Sequence, residues 1–220
     1  MMLVYVMYIE SAQILSNCIE AIRLLSDPSQ KWPAHITVRG PYKKHINIDP
    51  INSRLVGDSV TITGVGRFSG PRQNTVYFKC TSPKLEKVWM KRDFEFNPHI
   101  TIYDGSNAEF ADQLYTVASK YTYNISFPSA KLFPLTSRRD QCGFGLQTVF
   151  SSELVREIAG EIIKPSDVAS MSEERKLAII DRICSYLTTL PVLNEDSDQY
   201  AKSALHQGWP ASLRRADVAL

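Results

Sequence analysis

Two short stretches of the chain alternate strictly between polar and apolar positions. They are His35-Ile36-Thr37-Val38 and, sixty-four residues later, His99-Ile100-Thr101-Ile102. Such alternation is the period of a half-buried β-strand. The flanking sequence repeats a common order around each. Val4 to Ile9 reads as a strand. Ser11 fits an N-cap, and Ile14, Leu15, Cys18, Ile19, Ile22 and Leu25 follow helical spacing until Asp27-Pro28-Ser29. The first motif strand comes next and breaks at Gly40-Pro41. A short helical or irregular piece over Pro50 to Val56 leads to a strand over Ser59 to Phe68. A turn of the Gly/Pro/Asn type spans Ser69 to Asn74, and then the order restarts. Thr75 to Cys80 is a strand, Leu85, Val88 and Trp89 suggest a short helix, and Phe96-Asn97-Pro98 leads into the second motif strand. Asn107 to Tyr121 is helical by period, and strands over Tyr123 to Phe133 and Gly143 to Phe150 close the unit.

This is a duplication of pattern, not of residues, and its period is too long for a solenoid. It predicts an α+β, bilobal domain over residues 1–150, with two pseudo-symmetric sheet-and-helix lobes around a central groove. Residues 151–190 read as a helical extension. Ser151-Ser152-Glu153 would open one helix, and Ser170 with Glu173 fits a capping box for a second. The second carries Leu177, Ile180, Cys184 and Leu187 as an apolar stripe, which either docks on the body or pairs two subunits into a homodimer. Residues 191–220 have little pattern and read as a partly disordered tail, with Trp209 as an anchoring residue.

Composition narrows this picture. Of 220 residues 44% are hydrophobic, the range of a globular protein, and no run approaches the length of a membrane helix. The start, Met1 to Val6, lacks a basic leader and reads as a first strand, not a signal peptide. Cys18, Cys80, Cys142 and Cys184 are far apart, with no Cys-x-x-Cys spacing. They fit reduced, buried thiols in a cytoplasmic protein. A net charge of +2 argues against a protein that grips long polyanions indiscriminately, and is compatible with a nucleotide or short oligonucleotide.

Residues two apart on a strand share a face, with α-carbons about 6.5–7 Å apart. Each motif therefore presents a His and a Thr together, within reach of one small anionic group. Either copy alone reads as an ordinary strand. Two copies use two of the chain's four histidines in one context, and that changes the balance. Two imidazoles near neutral pH can serve as general base and general acid across one phosphorus. The Thr37 and Thr101 hydroxyls can hold its non-bridging oxygens. This logic needs no metal or cofactor; a zinc site would need Asp104 and His45 as further ligands.

With these residues the chain resembles the 2H phosphoesterase superfamily, which includes RNA 2',5'-ligase-like and cyclic phosphodiesterase proteins. The resemblance covers about Met1 to Phe150 and rests on the two His-x-Thr motifs, Pro98 before the second, and Gly66-Arg67-Phe68 as a strand end. It implies a bilobal α+β fold and metal-independent cleavage of cyclic phosphates or 2',5'-type bonds in nucleotides or RNA ends. It also leans toward His99 as the base and His35 as the acid, although a pseudo-symmetric pair can run either way. Many relatives carry an Arg shortly after the second motif, where this chain has Tyr103-Asp104-Gly105; Arg39 follows the first motif instead. Arg39, Tyr42 and Tyr103 are the further substrate-binding candidates, with Arg138-Arg139 on a later loop. Tyr5, Tyr8 and Phe144 could stack a base. Two competing readings remain: a non-catalytic nucleotide or RNA-end binder on the same fold, and an adaptor that works through its helical extension.

Overall fold

The computed structural model describes residues 3–9, 13–29, 32–89, 95–129, 131–135, 153–160, 163 and 165–190. Expectations for Ser11, Arg138-Arg139, the Gly143 to Phe150 strand, Phe144, the Ser151-Ser152 cap and residues 191–220 lie outside the described residues. The fold is α+β. Its strands are β1 (Leu3–Tyr8), β2 (His35–Tyr42), β3 (Ser59–Ser69), β4 (Asn74–Thr81), β5 (His99–Gly105), β6 (Ile125–Pro128) and β7 (Leu132–Leu135). All seven belong to one sheet in the order β6-β3-β4-β5-β2-β1-β7, and neighbours run antiparallel. The two motif strands, β2 and β5, are adjacent at its centre.

The expected strand over Tyr123 to Phe133 is two strands, broken after Pro128 and placed at opposite edges of the sheet. That placement forces a curl. Laid flat, six strand intervals would put the edges about 29 Å apart. The chain from Pro128 to Leu132 can span no more than about 14 Å, so the sheet bends until its edges approach. Helix α2 (Asp49–Leu55) secures this corner: Asn52 Oδ1 accepts from the Leu132 amide at 2.8 Å, and the Ser129 hydroxyl donates to the Leu55 carbonyl at 2.8 Å.

Ile36, Val38, Ile100 and Ile102 are fully buried in the main core. So are the apolar stripes of α1 (Gln13–Ser26) and α4 (Ala108–Ser119), which lie on that face of the sheet. Asn107 caps α4 by accepting from the Phe110 amide at 3.0 Å. The short α3 (Pro83–Val88) begins at Ser82, which caps it through the Leu85 amide and bonds to Asp58.

Beyond residue 150 lie α5 (Glu153–Ala159), α6 (Pro165–Val168) and α7 (Glu173–Leu187). The cap of α7 is Ser172, which accepts from the Arg175 amide at 3.3 Å, and not the expected Ser170. Ser170 closes the turn after α6 instead, donating to the Asp167 carbonyl at 3.0 Å. The stripe of α7 packs within the same chain, against α1 and α4, with Ile180, Cys184 and Leu187 fully buried. No described helix is long and apolar enough to cross a membrane.

Candidate functional site

Ile36 on β2 lies opposite Ile100 on β5. In an antiparallel pair, opposed residues share a face and the next residues share the other. Carried one residue each way, this register sets His35 opposite Thr101 and Thr37 opposite His99. The four predicted residues thus stand together on the face away from α1 and α4, each half-buried. The two histidines are diagonal neighbours, a relation that places α-carbons about 7–8 Å apart.

The outer strands extend this block into two rows. Tyr8 on β1 lies opposite His35 and Val6 opposite Thr37. Tyr77 on β4 lies opposite Thr101 and Lys79 opposite His99. One row reads Tyr8, His35, Thr101, Tyr77; the other reads Val6, Thr37, His99, Lys79. Lys79 is exposed and brings a positive charge to this face beside His99.

Both rings are anchored alike. His35 Nδ1 lies 2.7 Å from the Pro33 carbonyl, and His99 Nδ1 lies 2.7 Å from the Asn97 carbonyl, in each case two residues back. A carbonyl only accepts, so each Nδ1 carries a proton and donates it. This fixes the tautomer and leaves Nε2 as the atom that bears a lone pair when the ring is neutral. Burial pushes His35 down to about 4 from its ordinary 6.5, with Arg23 and His99 adding to the effect and the Pro33 bond opposing it. His99 is thus close enough to disfavour a positive charge on His35.

The lead into the first motif is tied to α1. Glu20 and Arg23 are both buried there, 3.9 Å apart. The Glu20 carboxylate accepts from the Ala34 amide, and Arg23 donates to the Trp32 carbonyl at 2.8 Å. Burial raises the Glu20 carboxyl against the opposing pull of Arg23 and the Ala34 bond. Residues 32–34, including the carbonyl that holds His35, are thereby clamped on both sides of Pro33.

Aromatic side chains flank the histidines. The Tyr8 ring meets His35 edge-on at 6.1 Å and Phe133 at 5.9 Å. On the other side Tyr77 lies 4.7 Å from His99 and stacks on Phe68 at 4.6 Å; Phe68 also meets His99 edge-on at 5.8 Å. Phe68 and Phe133 share the face of the motifs, since Gly66 two residues before Phe68 opposes Tyr77, and Phe133 opposes Val6. The Tyr77 ring lies over Gly66, where a Cβ would come within 2.5 Å of it.

The three further candidates do not join the four. Arg39 donates from Nε to the Val88 carbonyl at 2.9 Å and pairs with the core residue Tyr5. Tyr42 packs edge-on against Tyr5 at 6.1 Å. Tyr103 is buried on the helix side against Phe110, and its hydroxyl bonds to the Asn107 backbone. Of the stacking candidates, Tyr5 is core and Tyr8 is on the motif face. Asp104 accepts from Gln73 and Thr75 at 2.8 and 2.7 Å, and His45 is exposed. Among the described residues, no three His, Cys, Asp or Glu side chains gather as a metal ion would require. Sequence reasoning passed over Tyr77, Lys79, Phe68 and Phe133, whose place depends on cross-strand register. Compared with known proteins, the chain matches no protein-family model, and no curated protein matches it.

Proposed function

We propose that this protein is a metal-independent phosphodiesterase that opens a cyclic phosphate or an internucleotide bond in a nucleotide or short oligonucleotide. The observation that carries this reading is the pairing of two His-x-Thr motifs on adjacent central strands, with both rings anchored through Nδ1 to the carbonyl two residues back. On this reading the two halves of the sheet are pseudo-symmetric lobes that meet at the β2–β5 seam. The motif face is the floor of a groove, and the helices after residue 150 are an extension. Three free, buried cysteines among the described residues fit a cytoplasmic setting.

In the reaction, Nε2 of neutral His35 takes a proton from water as its oxygen bonds to phosphorus. The bond from phosphorus to the leaving ribose oxygen breaks, and protonated His99 supplies that oxygen with a proton. Each role contributes about 10²–10⁴ in rate. Thr37 and Thr101 donate to the non-bridging oxygens, and Lys79 offsets their charge. Burial favours the neutral form of His35, which supports it as the base, whereas the resemblance leans toward His99 in that role.

The test is a panel of 2',3'-cyclic nucleotides, cyclic di- and trinucleotides and 2',5'- or 3',5'-linked oligomers, incubated with chelator. We expect turnover of at least one, with a loss of about 10²-fold or more in His35→Ala and in His99→Ala. Undiminished turnover in either variant overturns the reading. Binding without consumption would turn it into a nucleotide-binding protein.

A further inference from the structure

Resting on the phosphodiesterase reading, we infer that the site recognises two bases, one on each side of the scissile phosphate, and so acts on an internucleotide bond in preference to a mononucleotide cyclic phosphate. The argument starts from the row Tyr8, His35, Thr101, Tyr77. Its ends are aromatic and its middle is polar. Each terminal ring is backed by a phenylalanine on the same face, Phe133 behind Tyr8 and Phe68 against Tyr77. Three large apolar side chains are exposed among the described residues, and these two phenylalanines, at 44% and 47% exposure, are among them. Single exposed apolar residues are ordinary. Two of them on one face, each braced by a tyrosine that contacts a motif histidine, make two aromatic stations. The second is built at the expense of a side chain, since the Tyr77 ring occupies the space over Gly66.

Spacing decides what the stations can hold. Tyr8 and the buried Tyr77 are three strand intervals apart and the exposed Phe133 and Phe68 five, so the stations lie about 14 Å or more apart along the curled sheet. Neighbouring bases in a stacked strand are only about 3.4 Å apart. A single base could engage one station and would leave the other empty. Two bases splayed away from a phosphate held by the central four residues would engage both. Single-stranded nucleic acids are commonly held this way, with unstacked bases on aromatic rings. The stations set no linkage, because they sit on either side of the phosphorus and read only the planar rings.

The experiment uses the full chain and adenylyl-adenosine in its 2',5' and 3',5' forms. Two abasic analogues lack one adenine or the other, and 2',3'-cyclic AMP serves as the single-base ligand. Affinity is measured on the His35→Ala/His99→Ala double variant, and kcat/KM on the unaltered protein. Removing either adenine should weaken binding about tenfold. Phe68→Ala and Phe133→Ala should each do the same, and each should abolish the effect of one particular adenine in a double-mutant cycle. That coupling would not arise from a merely structural role. If only one adenine matters, or neither, or if both variants weaken every ligand equally, the two-base inference falls. Cleavage that is indifferent to the bases would remove this inference and leave the phosphodiesterase. Coupled two-base binding without cleavage would do the reverse.

Discussion

His35 carries its proton only well below neutrality, and two measurements follow from that. If it is the base, the acid limb of kcat/KM lies below pH 6, because this quantity reports the free enzyme's groups and burial holds His35 near 4. The same depression makes stability depend on pH. Between the unfolded value of about 6.5 and the folded value, the unfolded chain binds a proton that the folded one refuses. Stability from this group is therefore complete above about pH 6.5 and falls as pH drops toward 4. The slope is at most about 1.4 kcal/mol per pH unit for one proton. Urea midpoints measured across this window should flatten in His35→Gln. Parallel pH profiles for the variant and the unaltered protein would show that the ring is not held neutral by burial. Lowering of this kind suits a site that receives a phosphate, since a bound anion favours the protonated ring and can lift it during the reaction.

Between α1 and β2, the Glu20–Arg23 pair holds the three residues that set the first ring. Both groups are buried, so removing one leaves the other's charge uncompensated. Glu20→Ala or Arg23→Ala should each cost about 3–5 kcal/mol in urea unfolding, whereas replacing both by apolar residues of similar volume should recover much of the loss. Equal losses in the single and double variants would argue that the Trp32 and Ala34 backbone bonds, not the charges, hold the clamp. No spacing rule announces this pair, because Glu20 and Arg23 read as the polar side of an amphipathic helix. The motif strands themselves were legible, since period two alone sorts His35, Thr37, His99 and Thr101 from Ile36, Val38, Ile100 and Ile102. The same period misplaces Arg39 and Tyr103. In the first motif strand Val6 pairs with Thr37 but Tyr5 with Arg39, and in the second Tyr77 pairs with Thr101 but Val76 with Tyr103. Each strand thus carries one extra residue, Val38 or Ile102, at the last position of its motif. Such a bulge breaks the alternation, and the residue after it turns toward the helices. It recurs at the same place in both motifs, so the face shared by the two histidines and two threonines ends there in each.

Across the whole molecule, the two motif strands meet because β2 pairs with β5 inside one sheet, which is continuous from β6 to β7 and curls to bring those edges together. Neither the strand order nor the curl is written in local pattern; both come from which strands pair at long range. The apolar stripe of α7 was legible, but its partner was not, because periodicity gives a face and not its occupant. That occupant is the outer side of α1 and α4, the helices packed behind β5 and β4. Burial pushes Cys18 of α1 and Cys184 of α7 both up to about 12, and Cys184 adds to the rise of Cys18. Asp181 of α7 accepts from Lys120 and from Tyr121, 3.3 and 3.1 Å away at the end of α4. These exposed or partly exposed bonds contribute at most about 1 kcal/mol each, so the apolar contact must hold the helix in place. Ile180 and Ile183 are fully buried in it. Trimming either to Ala should cost about 2–5 kcal/mol in the unfolding of the whole chain. Because α7 backs the helices and not the motif face, kcat/KM of the folded fraction should stay within about twofold. A single unfolding transition that shifts as a unit would make α7 part of the body. A separate early transition, with the later one unmoved, would make it an independently melting extension.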